Sequence, residues 1–193
     1  MGASMSGCGI TRDRAMALLK ERLSDQVLIK HSLATEAIMR HIADRFGADP
    51  ETWGIAGLLH DIDFAETKDT PQRHTLVAET ILKQAGVSDE IIRAVKSHNA
   101  EALGIQRSDT LHFALTAAEN LTGLIVATAL VQPDKKIAQV KPSSVVKRMK
   151  EKGFARSVSR EGILLCEQIG MPLDQFVTAS LQAMGSIAGE LGL

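Results

Sequence analysis

The chain has 193 residues, 45% hydrophobic, 23% charged and 3% aromatic with no tyrosine, and a formal net charge of −1. That length and composition suit one domain with a helical extension that buries its core without disulfide staples, and they exclude a disordered chain. With so few aromatics the core must be Leu, Ile, Val, Ala and Met, which favours packed helices, and the balanced charge gives nucleic acid no global electrostatic attraction.

Residues 1–9 are small and polar, lack the apolar run of a signal peptide and read as a disordered lead. Cys8 and Cys166 stand far apart in no metal-like spacing, which points to a reducing, cytoplasmic setting with two ordinary thiols. Thr11 is the N-cap of a first helix carrying Ala15, Leu18, Leu19 and Leu23 at helical spacing. A second helix is predicted over 26–46, with Ile29, Leu33, Ala37, Ile38 and Ile42 on one face and Gly47 as its stop. Asp49-Pro50 starts a third, strongly apolar helix that ends near His60-Asp61.

Residues 63–73 are polar, contain Pro71 and read as an exposed loop. Helices follow over 74–84, stopped by Gly86, and from Ser88 to His98-Asn99. A long apolar helix is predicted over 110–131; its most apolar run, 121–131, is too short to span a bilayer and reads as buried. Residues 134–160 are basic, with Pro142 starting a short helix through Lys150. Further helices are predicted over 160–169 and from Pro172, the last with Leu173, Phe176, Val177, Leu181, Met184 and Ile187 as an apolar stripe that closes the core or forms a homodimer. No strand run or internal repeat is evident. The expected fold is all-α, with a bundle over 10–131 and a C-terminal helical extension over 132–193 packed on the same core.

An apolar helix that ends in two strong ligand types is unusual, because burying Asp61 without a cation or arginine is expensive. Imidazole and carboxylate together suit borderline divalent metals, namely iron, manganese, zinc, nickel or cobalt. A bare His-Asp dipeptide is by itself more often a helix cap. The surroundings change that weighting: His31 lies on the preceding helix, His74 opens the next, His98 closes the one after, and Glu119 sits in an otherwise apolar helix. His41 and His112 have no place in this set and read as ordinary.

Taken in order, His31, His60-Asp61, His74, His98 and Glu119 resemble the HD-domain superfamily of metal-dependent phosphohydrolases, over about residues 26 to 131. The resemblance implies an HD-domain helical bundle with one or two divalent metals per chain. His31, His60, Asp61 and Glu119 would surround one metal, and Asp61 would bridge to a second held by His74 and His98. It implies cleavage of a phosphomonoester or a nucleotide phosphoester or phosphoanhydride by a metal-activated water, with a small phosphorylated substrate or nucleotide as partner and neither membrane nor nucleic-acid polymer. The set of histidines is similar to that of HD hydrolases of diadenosine tetraphosphate or of cyclic dinucleotides, although the Gly-Tyr-Pro signature of the latter is absent.

Two departures stand out. The distal acid, usually Asp, is Glu119. The common His-Asp-Ile-Gly-Lys run reads His60-Asp61-Ile62-Asp63-Phe64, so Gly and Lys are missing. Lys68 or Arg73, on the following loop, is the substitute cation; with Asp61 they are the candidate catalytic residues. Asp63 and Glu66 read as solvated loop residues, and Asn99 either binds a phosphate or ends its helix. In the basic stretch, a solvated face is favoured over a role for Lys147, Arg148 or Lys150 in holding a substrate phosphate. The departures motivate a second reading, a non-catalytic HD module that binds metal or nucleotide; a third reading is a di-iron HD oxygenase.

Overall fold

The computed structural model describes residues 7–193, and the protein is helical with no strand among them. The helices are α1 (Arg12–Arg22), α2 (Gln26–Ala43), α3 (Pro50–Leu59), α4 (Phe64–Thr67), α5 (Leu76–Gln84), α6 (Asp89–His98), α7 (Ala100–Leu103), α8 (Thr110–Leu130), α9 (Pro142–Arg148), α10 (Arg160–Leu164), α11 (Leu173–Ser186) and α12 (Ala188–Leu191).

Local chemistry sets many of the ends. The Thr11 hydroxyl accepts from the Arg14 amide, the Asp25 carboxylate from Val27, and the Asp49 carboxylate from Glu51 and Thr52, so three helices start on side-chain caps. Gly47, at φ 60°, takes the left-handed conformation that stops the α2 segment. That segment ends one turn earlier than its periodicity suggests, because Asp44–Phe46 tighten into a 3-10 turn. Residues 165–169 likewise wind into 3-10 after α10.

Helix α3 is the centre. Every residue from Thr52 to Leu59 is buried, so the helix has no solvent face. It packs most extensively against α2, and α2 also packs on α8 and α11. Gly57 is what lets α2 and α3 approach: a Cβ there would stand 3.0 Å from the backbone of Thr35 and Glu36. On the other flank, Glu36 is buried and accepts from Arg12 and Arg40, while Arg40 also pairs with Glu51, which ties α1, α2 and α3 together.

Helix α8 spans 21 residues, so the apolar run of 121–131 belongs to a helix that by length and composition alone could cross a bilayer. Here 61% of its most apolar window is buried within the bundle, which makes it a core helix of this fold. The C-terminal stripe also faces inward: Phe176, Val177, Leu181 and Met184 are buried in the same hydrophobic cluster as α2, α3 and α8.

The expectation of a disordered lead falls partly on residues 1–6, which lie outside the described residues. It fails for residues 7–9. Cys8 is fully buried, its carbonyl accepts from the Ser88 amide, and its Sγ lies 3.4 Å from the Thr52 hydroxyl. An apolar thiol beside a half-formed turn is held by tertiary contacts that polarity of the neighbours does not reveal.

Candidate metal centre

Two helix ends, two helix interiors and one loop converge at the C-terminus of α3. His60 and Asp61 emerge there because α3 is buried from Thr52 to Leu59 and delivers its last turn to the interior. His31 comes from α2, His98 from the last turn of α6, Glu119 from the middle of α8, and His74 from the loop just before α5.

The geometry divides around Asp61. Its Oδ2 lies 3.5 Å from His60 Nε2 and 3.8 Å from His31 Nε2. Its Oδ1 lies 3.2 Å from His74 Nε2 and 3.4 Å from His98 Nε2. Within the pairs, His31 and His60 Nε2 are 3.1 Å apart, as are His74 and His98 Nε2. Two nitrogens on one ion at about 2.1 Å sit roughly 3.0–3.4 Å apart for octahedral to tetrahedral angles. Glu119 completes the first group, and in each trio (His31, His60, Glu119 and Asp61, His74, His98) the ligand atoms lie within 4.8 Å of one another. All six sequence-predicted ligands therefore meet. His41 and His112 stay outside.

The opposite ring nitrogens show what the rings are for. His60 Nδ1 donates to the Gly57 carbonyl at 2.8 Å and His98 Nδ1 to the Val95 carbonyl at 2.6 Å. His74 Nδ1 donates to Asp63 Oδ1 at 2.8 Å. The Thr122 hydroxyl gives its proton to the Glu119 carbonyl, so at 2.8 Å it accepts from His31 Nδ1. Every Nδ1 proton is thus committed, and four Nε2 lone pairs face one space around a carboxylate. That donor set fits divalent metals, and the outer hydrogen bonds are those that orient imidazole ligands.

Burial pushes the His60 imidazole down to about 3 and lowers His31. Burial also holds the Glu119 carboxyl well above its ordinary value. Burial alone would raise Asp61, but the surrounding His60, His74 and His98 hold it well below the usual carboxylate range. For His74 burial is outweighed by hydrogen bonds to Asp61 and Asp63, which push it up to about 9.

Asp63 corrects the sequence reading. It is 1% exposed, and its Oδ2 accepts from the amides of Thr75 and Ala78 at 2.8 and 2.9 Å. Asn99, left open between phosphate binding and helix termination, donates to the Pro71 and His74 carbonyls and so holds the same loop from the other side. Thr122 was also missed, although its place three residues after Glu119 puts both on one face of α8. For Asp63 no local signal existed, since its partners stand 11 to 15 residues away.

Lys68 and Arg73 are exposed on the loop between α4 and α5, and neither hydrogen-bonds to any of the six ligand residues. Arg73 lines a groove with Arg22, Glu66 and Leu76. A different cleft, of about 510 Å³, opens at His98 and Glu119 and is walled by Glu101, Thr116, Asn120, Ser159 and Glu161.

The chain matches the family model described as HD domain over residues 28–129, more than half of its length. The chain belongs to the HD-domain family, within the superfamily of metal-dependent phosphohydrolases. It is similar to Ribonuclease Y of Rubrobacter xylanophilus, 33% identical over 89 residues, which is 46% of this chain and 17% of that protein. Ribonuclease Y of Thermosipho melanesiensis is 35% identical over 89 residues, 46% of this chain and 18% of that protein. The tRNA (cytidine(56)-2'-O)-methyltransferase of Picrophilus torridus is 27% identical over 99 residues, 51% of this chain and 28% of that protein. The matches thus span less than a third of these relatives. No solved structure gives a significant match.

Proposed function

We propose that the chain is a metal-dependent phosphohydrolase that cleaves a phosphomonoester or a nucleotide phosphoester or phosphoanhydride. His31, His60 and Glu119 hold one metal, His74 and His98 a second, and Asp61 both. The observation that carries this reading is the split of Asp61, one oxygen toward each histidine pair. A bridging carboxylate offsets the mutual repulsion of two dications. Bound iron, manganese, nickel, cobalt or zinc supplies Lewis acidity toward a phosphoryl oxygen and lowers the pKa of a coordinated water.

The residues supply placement. The cleft at His98 and Glu119 has the volume of a small-ligand site and admits a phosphorylated substrate to the ligand set. Arg107 pairs with Glu101 through both terminal guanidinium nitrogens, offsetting a negative charge on the wall, and also donates to the His98 carbonyl and the Thr116 hydroxyl. Asn120, beside Glu119, accepts from the Ser159 amide and fixes the far wall. Neither Lys68 nor Arg73, the substitutes for the common lysine, lines this cleft, and Arg73 lines a separate groove.

Because two of the similar proteins are named ribonucleases and match over this segment, an RNA phosphodiester is the rival substrate class. The test is a panel of phosphomonoesters, nucleotides, dinucleoside polyphosphates, cyclic dinucleotides and short RNA, each with Mn²⁺, Fe²⁺, Co²⁺, Ni²⁺ and Zn²⁺. Phosphate or nucleotide release that is lost in Asp61→Ala is expected. Metal uptake without turnover of any substrate would instead mark a non-catalytic HD module, and dioxygen consumption without phosphate release an HD oxygenase.

A further inference from the structure

The two ligand trios are built differently. His31, His60 and Glu119 stand on α2, at the end of α3 and in the middle of α8, three helices of the core. The other trio depends on His74, which stands on no helix. It sits in the turn-rich loop before α5 and is followed by Thr75 at φ 69°, a left-handed conformation that strains a β-branched residue. Something must hold that loop against the strain.

We infer that Asp63 is the positioning residue that builds the second metal site, acting through His74. One carboxylate makes three bonds to the loop. Oδ2 takes the Thr75 and Ala78 amides, two of the donors left free at the start of α5, and Oδ1 takes His74 Nδ1–H. The first pair pins the strained residue next to His74. The third orients the ring and keeps its proton on Nδ1, so that Nε2 is free to ligate. The Thr67 hydroxyl donates to the Asp63 carbonyl, and Asn99 holds the Pro71 and His74 carbonyls, so the loop is gripped on both flanks. A glycine at position 63, as in the common run, would leave two amides and an imidazole N–H inside the protein without this acceptor. The departure at this position is therefore a different way of fixing the same histidine.

This inference rests on the two-metal reading, and the experiment separates the two. Metal uptake is measured by titration calorimetry and elemental analysis, with Zn²⁺ and Mn²⁺ as probes, for the wild type, Asp63→Asn, His74→Ala and the double variant. An asparagine places either an NH₂ opposite His74 Nδ1–H or one opposite the two amides, while changing little in volume. Expected are two equivalents for the wild type, and in Asp63→Asn one equivalent at wild-type affinity with the other weakened about 10- to 100-fold. In the His74→Ala background, Asp63→Asn should have no further effect on metal uptake. Equal affinity at both sites in Asp63→Asn, or equal weakening of both, overturns the inference while leaving the two-metal reading standing. A wild type that takes up only one equivalent sinks both. Should Asp63→Asn fail to fold, long-range ¹H–¹⁵N spectra of the wild-type zinc form decide: His74 protonated at Nδ1 is expected, and His74 protonated at Nε2 overturns the proposal.

Discussion

His31 and His60 face each other through Nε2 atoms 3.1 Å apart while both of their Nδ1 protons are bound elsewhere. Two lone pairs at that distance repel unless a proton or a cation stands between them. Burial disfavours the protonated form of both rings, so a cation is the better solution. The next group repeats the arrangement, and Asp61 lies between the two.

Removing Asp61 should therefore cost both metals. In Asp61→Ala, elemental analysis after metal loading is expected to find less than half of an equivalent per chain, whereas His31→Ala should still retain the metal held by His74 and His98. Two equivalents in Asp61→Ala would show that the carboxylate bridges nothing.

Metal binding should compete with a proton. In the metal-free chain His74 is raised from 6.5 to about 9, so its contribution to stability is complete below pH 6.5 and is lost as pH rises through about 9. A metal replaces that proton and removes the loss. The gap in Tm between metal-loaded and chelator-treated protein should thus widen from pH 6.5 to 9. Apparent affinity at the Asp61 and His74 site should rise by up to about tenfold per pH unit in that range, with proton release seen in buffers of different ionisation enthalpy. A pH-independent affinity would rule out a protonated His74.

Gly57→Ala adds a methyl group 3.0 Å from the α2 backbone. Neither helix backbone gives way cheaply, so α2 and α3 must part, at a cost of roughly 1–3 kcal/mol. Because the Gly57 carbonyl orients His60 and α2 carries His31, the metal of His31, His60 and Glu119 should weaken with it. Denaturant unfolding and metal titration on the same variant check both effects; wild-type stability would contradict the close packing.

Arg160 gathers the carbonyls of Arg148, Glu151, Phe154, Ala155 and Val158 and so gives the basic loop its shape. Arg160→Ala leaves those acceptors without their donor. We expect a loss of about 2–3 kcal/mol and new protease cleavage within 149–157, read by limited proteolysis and mass spectrometry. An intact loop in the variant would mean that its packing alone suffices.

The local sequence determined the helix starts at Thr11 and Asp49-Pro50, the stop at Gly47 and the inward stripe of α11, because caps and periodicity act over one turn of backbone. It also set the order of the six candidate ligands, which is why the family was legible. Other features were decided by contacts between residues distant in the chain. Asp61 became a divider between two histidine pairs only once α2, α6 and the loop before α5 had packed around the end of α3. His31 owes its orientation to Thr122, 91 residues away, and Asp63 was polar, loop-borne and unremarkable until burial turned it toward the amides of Thr75 and Ala78. Such bonds depend on how closely helices approach, which Gly57 permits but no local pattern announces. Cys8, read as part of a loose lead, is buried for the same reason: its partners, Thr52 and Ser88, are brought to it by the fold.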